Sequence, residues 1–309
     1  MQLLTESKAY KPFFYPWAME YAEKHERMHW GTWEAKLQED VKQWKSNTLS
    51  VIEKRFITQI LRIFTQSDVA VGDNYTDFFL PTFKNNEVRN MLLSFANREG
   101  THQRAYALLN DTLGLAEEEY GYFLSHQPML QKIENMRCTD DLGQALVQSV
   151  CNEGMSLFSA FVMLLHFQKH GKMKGMCEVV EWSIKDESMH TEAMTKLYQT
   201  YISEGGAKPS IDDATTIFTR AVDFEDAVID LIFDTETSVE DLSKAQVKEF
   251  IRYLANRRLE QLGFTSIYPI ERNPLPWLDW IVSGVSFKNF FEGVVTDYSA
   301  SGMTGDWGW

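Results

Sequence analysis

Residues 141–170 carry apolar side chains on most sides of a helix, and this stretch limits the folds open to the chain. Leu142, Ala145, Leu146, Val150, Met155, Leu157, Phe158, Phe161, Val162, Leu164 and Leu165 leave it no polar face. A helix that is apolar all round belongs either in a membrane or at the centre of a bundle. No uninterrupted apolar run approaches the roughly 20 residues of a membrane span, so the expectation is a bundle with this segment in its middle.

The segments available to surround it are also helical in period. Val51, Ile52, Phe56, Ile57, Ile60, Leu61 and Phe64 make one apolar stripe over residues 50–72. Val88, Met91, Leu92, Phe95, His102, Tyr106 and Leu109 make another over 86–110. Residues 172–203, 211–234 and 239–262 read as further helices. Breaks are expected at Gly72-Asp73-Asn74, Gly114, Gly205-Gly206 and Asn273-Pro274. The 8 prolines and 17 glycines gather into no linker, and neither a period-2 strand nor a solenoid repeat is visible. From about Val282 the chain is loosened by Gly284, Gly293, Ser299, Ser301, Gly302, Gly305 and Gly308. The expected organisation is an all-α helical domain over 1–285 and a flexible, aromatic-bearing tail over 286–309.

Charge and cysteine content exclude several functions. A net charge of −14 over 309 residues argues against a partner with a phosphate backbone, so no nucleic acid is expected. Cys138, Cys151 and Cys177 are scattered without a C-x-x-C pair, which suggests neither a disulfide framework nor a thiolate metal site. The first residues, MQLLTESKAYKPFFYPW, lack the basic-then-apolar order of a secretory signal. A soluble protein of the reducing cytoplasm, with no membrane partner, is the expectation.

Two Glu-x-x-His motifs carry the chemistry, Glu99-Gly-Thr-His102 and Glu187-Ser-Met-His190. Positions i and i+3 share a helix face, so each motif can offer a carboxylate and an imidazole to one metal ion. Carboxylate-bridged di-metal bundles add one carboxylate from each of two further helices. Asp68 at the end of the 50–68 stripe and Glu153 inside the apolar 141–170 segment meet that need. A carboxylate in so apolar a setting is costly unless a cation or other partner compensates it. Six ligands on four helices result, with four carboxylates to balance two divalent ions. Oxygen-rich ligation with two imidazoles suits iron or manganese better than zinc or copper. His25, His29, His126, His166 and His170 have no such partner pattern and are read as structural. Tyr106 lies one turn beyond His102 on the same face, where a buried phenol beside an oxygen-activating metal pair could be oxidised.

The run Asp68, Glu99-x-x-His102, Tyr106, Glu153, Asp186-Glu187-x-x-His190 resembles the small, or beta, subunit of class I ribonucleotide reductase. The separations of 31 residues from Asp68 to Glu99 and 34 from Glu153 to Glu187 agree with that family. So do Phe13-Phe14-Tyr15-Pro16, Met28-His29-Trp30, Ile251-Arg252-Tyr253, Asn256-Arg257-Arg258-Leu259 and Asn273-Pro274-Leu275-Pro276-Trp277. The resemblance implies a ferritin-like helical bundle, with a four-helix di-metal core and additional helices. It makes Asp68, Glu99, His102, Glu153, Glu187 and His190 the metal ligands and Tyr106 the site of a stored radical. The metals would be a di-iron, di-manganese or mixed Mn/Fe pair, oxidised by an oxygen-derived species, either dioxygen or superoxide.

By the same resemblance, Trp30 and Asp186 relay the oxidising equivalent towards a large (alpha) subunit that reduces ribonucleotides to deoxyribonucleotides. On spacing alone Trp30 is a core or surface indole and Asp186 a solvated helix residue. Tyr298 is the expected relay tyrosine of the tail, with Trp307 and Trp309 as alternative docking anchors. A homodimer and an activating flavoprotein complete the expected partners. Two other readings share the bundle: a ferritin-like di-metal ligand-binding oxidase, which should lack the relay positions, and an iron-storage bundle, whose chains are usually shorter.

Overall fold

The computed structural model describes residues 2–279. Tyr298, Trp307 and Trp309, and with them the whole 286–309 tail, lie outside the described residues. The chain divides into two compact units, Met1–Pro274 and Leu275–Trp309. The first holds every helix discussed below.

Four segments form the centre of that unit: α3 (Val51–Asp73), α5 (Asn86–Leu113), the 142–170 segment and α9 (Lys174–Ser203). Within the 142–170 segment lie α7 (Leu142–Cys151) and α8 (Phe158–Leu165). Helix α3 packs on α5, both α7 and α8 pack on α9, and α5 meets α9. Around them stand α1 (Pro16–Arg27), α2 (Gln38–Lys45), α6 (Gln127–Asn135), α10 (Ile211–Phe233) and α11 (Lys244–Gln261). Side chains set the helix starts. Ser50 and Glu53 cap α3 reciprocally, Ser243 and Gln246 do the same for α11, and Asn85 accepts from the first amides of α5. At its other end α5 stops on Gly114, which takes φ 73°, a left-handed conformation that glycine adopts without a Cβ penalty.

Three expectations about the chain's course are corrected. Gly72-Asp73-Asn74 is not a break: α3 runs into a wider π turn over Asn74–Phe79 and then α4 (Leu80–Thr82). One glycine costs a helix only about 1 kcal/mol. Burial of Val71, Tyr75 and Phe79, and the Asn74 side-chain bonds to Met136 O and Cys138 N–H, outweigh that cost. The 142–170 segment is not one helix but α7, a π turn over Asn152–Ser156, α8 and a 3-10 turn over His166–His170. Residues 239–262 begin with a minimal antiparallel hairpin, β1 (Ser238–Val239) and β2 (Leu242–Ser243), too short to carry an alternating pattern.

The placement of the apolar segment follows expectation. By length and composition Leu142–His170 could cross a membrane, yet its apolar window is wholly buried inside the bundle.

Candidate metal centre

The π turn explains how Glu153 reaches the centre. Widening the helix there leaves carbonyls outside the α pattern, and buried cations satisfy them: Arg258 Nε donates to Gly154 O at 3.0 Å and Lys132 Nζ to Ser156 O at 2.8 Å. Only glycine fits at 154, because a Cβ would come within 2.6 Å of Arg258 Nε and 2.9 Å of Thr191 Cγ2. Asp68 sits well inside α3, while Glu99 and His102 share one face of α5, and Glu187 and His190 one face of α9.

All six side chains are buried, and they fall into two groups that share Glu99 and Glu187. One group is Asp68, Glu99, His102 and Glu187; the other is Glu99, Glu153, Glu187 and His190. Within each, the potential ligand atoms lie within 4.8 Å of one another. Both histidines turn Nδ1 inward. His102 Nδ1 is 3.1 Å from Glu187 Oε1 and 3.6 Å from Glu99 Oε2. His190 Nδ1 is 3.1 Å from Glu153 Oε2, 3.2 Å from Glu99 Oε1 and 3.6 Å from Glu187 Oε2. Separations of about 3 Å are the edges expected between ligands around an ion held at roughly 2.1 Å.

Satisfaction of these atoms tests whether they suit a metal. Both oxygens of Glu99 and of Glu187, Asp68 Oδ2 and His102 Nδ1 are buried without a hydrogen bond. Such donor atoms converge without bonding one another, an arrangement that cations stabilise and that is otherwise costly. Titration behaviour agrees. Burial pushes the Asp68 carboxyl well above its usual range. It lifts Glu153 to about 7 despite the pull of His190, with the charges of Glu187 and Glu99 adding to the rise. Burial also raises Glu99, but the adjacent His102 and His190 imidazoles outweigh it and bring that carboxyl to about 2. Four carboxylates crowd this dry place beside two histidines that their charge raises well above the usual value, and two divalent ions would balance them.

Surrounding residues orient the two imidazoles differently. His102 Nε2 is 3.1 Å from Asp186 Oδ2, which also accepts from Trp30 Nε1 at 2.8 Å. Arg98 Nε approaches the same oxygen at 3.6 Å, and the Trp30 ring stacks on His102 at 5.8 Å between centroids. Burial raises the Asp186 carboxyl, but His102 and Arg98 outweigh it and hold it at about 2. On the other side His190 Nε2 faces His25 Nε2 at 3.2 Å, and His25 Nδ1 lies 2.6 Å from Ser94 Oγ. Burial, with adjacent His190 adding, lowers His25 to about 2, so that ring is neutral. Glu153 accepts from Tyr75 OH at 2.7 Å and from Ser149 Oγ at 2.8 Å. Tyr106 is fully buried against Phe64, with 4.2 Å between ring centroids, and its hydroxyl donates to Ser183 Oγ at 2.9 Å. Burial, followed by the charge of Asp68, pushes its phenol well above the ordinary value.

Two readings from spacing alone therefore change. Asp186 is not solvated but fully buried. His25 is not simply structural, since it touches a candidate ligand. Its signal lay in Ala18, Ala22 and His25 at i, i+4 and i+7, the buried face of α1. Tyr75, Arg98 and Ser183 had no comparable mark, because their roles arise from partners far away in the chain.

The ribonucleotide reductase small-chain family model matches residues 7–274. The probable ribonucleoside-diphosphate reductase small subunit 048L of Invertebrate iridescent virus 3 is 37% identical, covering 100% of this chain and 89% of its own. The 376L counterpart in Invertebrate iridescent virus 6 is 36% identical over 99% of this chain and 98% of its own. A putative class I ribonucleotide reductase from Bacillus halodurans superposes with a TM-score of 0.78 at 18% identity. That superposition covers 86% of this chain and 99% of the other, and it shows a shared ferritin-like bundle. The chain belongs to the ribonucleotide reductase small-chain family, and its activity is that of the small subunit of a class I ribonucleoside-diphosphate reductase, which pairs with a large subunit.

Proposed function

We propose that Asp68, Glu99, His102, Glu153, Glu187 and His190 hold two iron or manganese ions, with Glu99 and Glu187 shared between them. The observation that carries this reading is the pair of four-residue groups overlapping at those two carboxylates. When bound, the ions supply oxidising power drawn from an oxygen-derived oxidant. The equivalent is stored at Tyr106 or on the metal pair.

The chain's own residues perform the rest. Ser183 Oγ accepts from the Tyr106 hydroxyl and donates onward to Val179 O at 3.1 Å, which fixes the phenol's direction. Burial keeps water and reductants from the ring, extending the life of a radical there. Trp30, Asp186 and His102 form the inner part of the relay. An indole that loses an electron becomes acidic at Nε1–H, and the Asp186 carboxylate at 2.8 Å is placed to take that proton. Tyr298 continues the relay on the tail that docks the large subunit. We further propose a cytoplasmic homodimer and, for a manganese form, an activating flavoprotein.

Electron paramagnetic resonance after aerobic metal loading tests the reading. A tyrosyl radical lost in Tyr106→Phe, or a coupled mixed-valent signal, supports it; a metal-loaded protein with neither signal sinks it. Metal analysis of protein from its native host decides between iron and manganese.

A further inference from the structure

A second set of metal-type donors stands at the C-terminal end of the 142–170 segment and shares no residue with the central cluster. His166 and His170 are the first and last residues of the 3-10 turn, and Asp241 lies in the turn between β1 and β2. His166 Nε2 is 2.7 Å from Asp241 Oδ1, and His170 Nε2 is 2.8 Å from the same oxygen. The two Nε2 atoms are 3.3 Å apart. Sequence alone left both histidines structural, because their carboxylate comes from a hairpin 71 residues beyond His170.

We propose that His166, His170 and Asp241 bind one divalent transition-metal ion of the zinc type, with solvent completing the coordination. Zinc at roughly 2.0–2.1 Å from tetrahedral ligands sets them about 3.3–3.4 Å apart, the separation of the two imidazole nitrogens. Only Asp241 must withdraw, by about half an ångström, and its side chain is 59% exposed on a short hairpin. Without an ion, both rings must present N–H groups side by side to one carboxylate oxygen. An ion at Nε2 exchanges places with that proton, which moves to Nδ1 of the same ring so that the imidazole stays neutral. The protonation states suit this exchange. Burial lowers His166 to about 4, and hydrogen bonds from Lys169 and His170 keep the Asp241 carboxyl well below its usual range.

One nearby charge opposes the ion. Lys169 Nζ binds Asp241 Oδ2 at 3.0 Å, leaving Oδ1 for the imidazoles. The opposing lysine therefore weakens the site without blocking it. A bound ion would join the β1–β2 hairpin, and hence the start of α11, to the end of the central segment. Solvent positions on the ion make it a three-ligand site of the open kind, unlike the closed four-ligand sites of structural zinc.

Cobalt(II) serves as the probe, added to full-length protein whose central cluster has first been filled with iron under air. The expected result is one further ion per chain, with the intense visible bands of four-coordinate cobalt. His170→Ala and Asp241→Ala, both at partly exposed positions, should weaken that binding at least about tenfold while iron content and circular dichroism stay unchanged. Lys169→Met should tighten it. Iron-loaded protein that takes up no further cobalt overturns the proposal, as does a His170→Ala variant that binds cobalt with unchanged affinity and spectrum.

Discussion

The imidazole of His102 leans on a carboxylate, whereas that of His190 leans on another imidazole. Both rings face the same shared pair, Glu99 and Glu187, so the contrast lies in what stands behind them. Behind His102 are Asp186, Arg98 and Trp30, an ionised set that leads away from the centre to an indole. Behind His190 are neutral His25 and Phe95, the latter 4.3 Å between ring centroids, while Tyr75 and Ser149 donate to Glu153. An anionic acceptor makes an imidazole a stronger ligand and fixes its tautomer; a neutral one fixes it with less electrostatic gain. On the proposed reading, the His102 half passes charge outward, while the His190 half is closed in by neutral groups.

The largest test removes what the halves share. Glu187→Ala should reduce metal content from two ions to less than one per chain and abolish activity with the large subunit. Retention of both ions would end the comparison. Asp186→Asn keeps size and removes charge, so reductase activity should fall about 10–100-fold, with the His102-side ion weakened more than its neighbour. His25→Gln, by the same argument, should weaken the His190-side ion about tenfold or less. It should disturb the Trp30 path less than Asp186→Asn does, because His25 Nε2 reaches Asp186 at 3.6 Å on Oδ1, not on the oxygen that accepts from Trp30. An equal loss from both variants would show that the carboxylate's charge does not matter.

Metal removal gives a pH signature. Burial holds Glu153 near 7 in the ion-free chain, above its ordinary 4.5, so its protonated form stabilises the fold. That contribution is lost as pH rises through this window, and raised Asp68, His102 and His190 act in the same direction. Together they outweigh the opposite trend of His25 and His166, whose lowered values favour the fold as pH rises towards about 6.5. Metal-free protein should therefore melt lower at about pH 8 than at about pH 5, and metal loading should flatten the difference. Smallest of all, Tyr75→Phe removes one hydrogen bond to Glu153, about 1 kcal/mol. For a chain of this size the melting point should drop by about 2–4 °C.

How much of this was legible follows from what each feature depends on. Six candidate ligands and the four central segments could be read because helical period and i, i+3 spacing are local. His25 depends on a ring 165 residues away, and the Tyr75–Glu153 bond spans 78. The π turn at Asn152–Ser156 has no compositional mark either. Gly154 looks ordinary until Arg258, 104 residues later, is seen to press against it. The local pattern picks out the candidate donors, while their orientation comes from distant packing.

The π turn has one consequence for how this segment can change. It behaves as one surplus residue held in a helix, so α7 and α8 are out of phase by about 100°, one residue's rotation. A deletion within Asn152–Ser156 would bring the segment back into phase while rotating one of its halves relative to the other. Either Glu153 would leave the cluster or the apolar faces of α8 would lose their neighbours. Insertions and deletions should therefore be tolerated far less here than substitutions, a constraint that a deletion scan across 152–156, read by metal content, would expose.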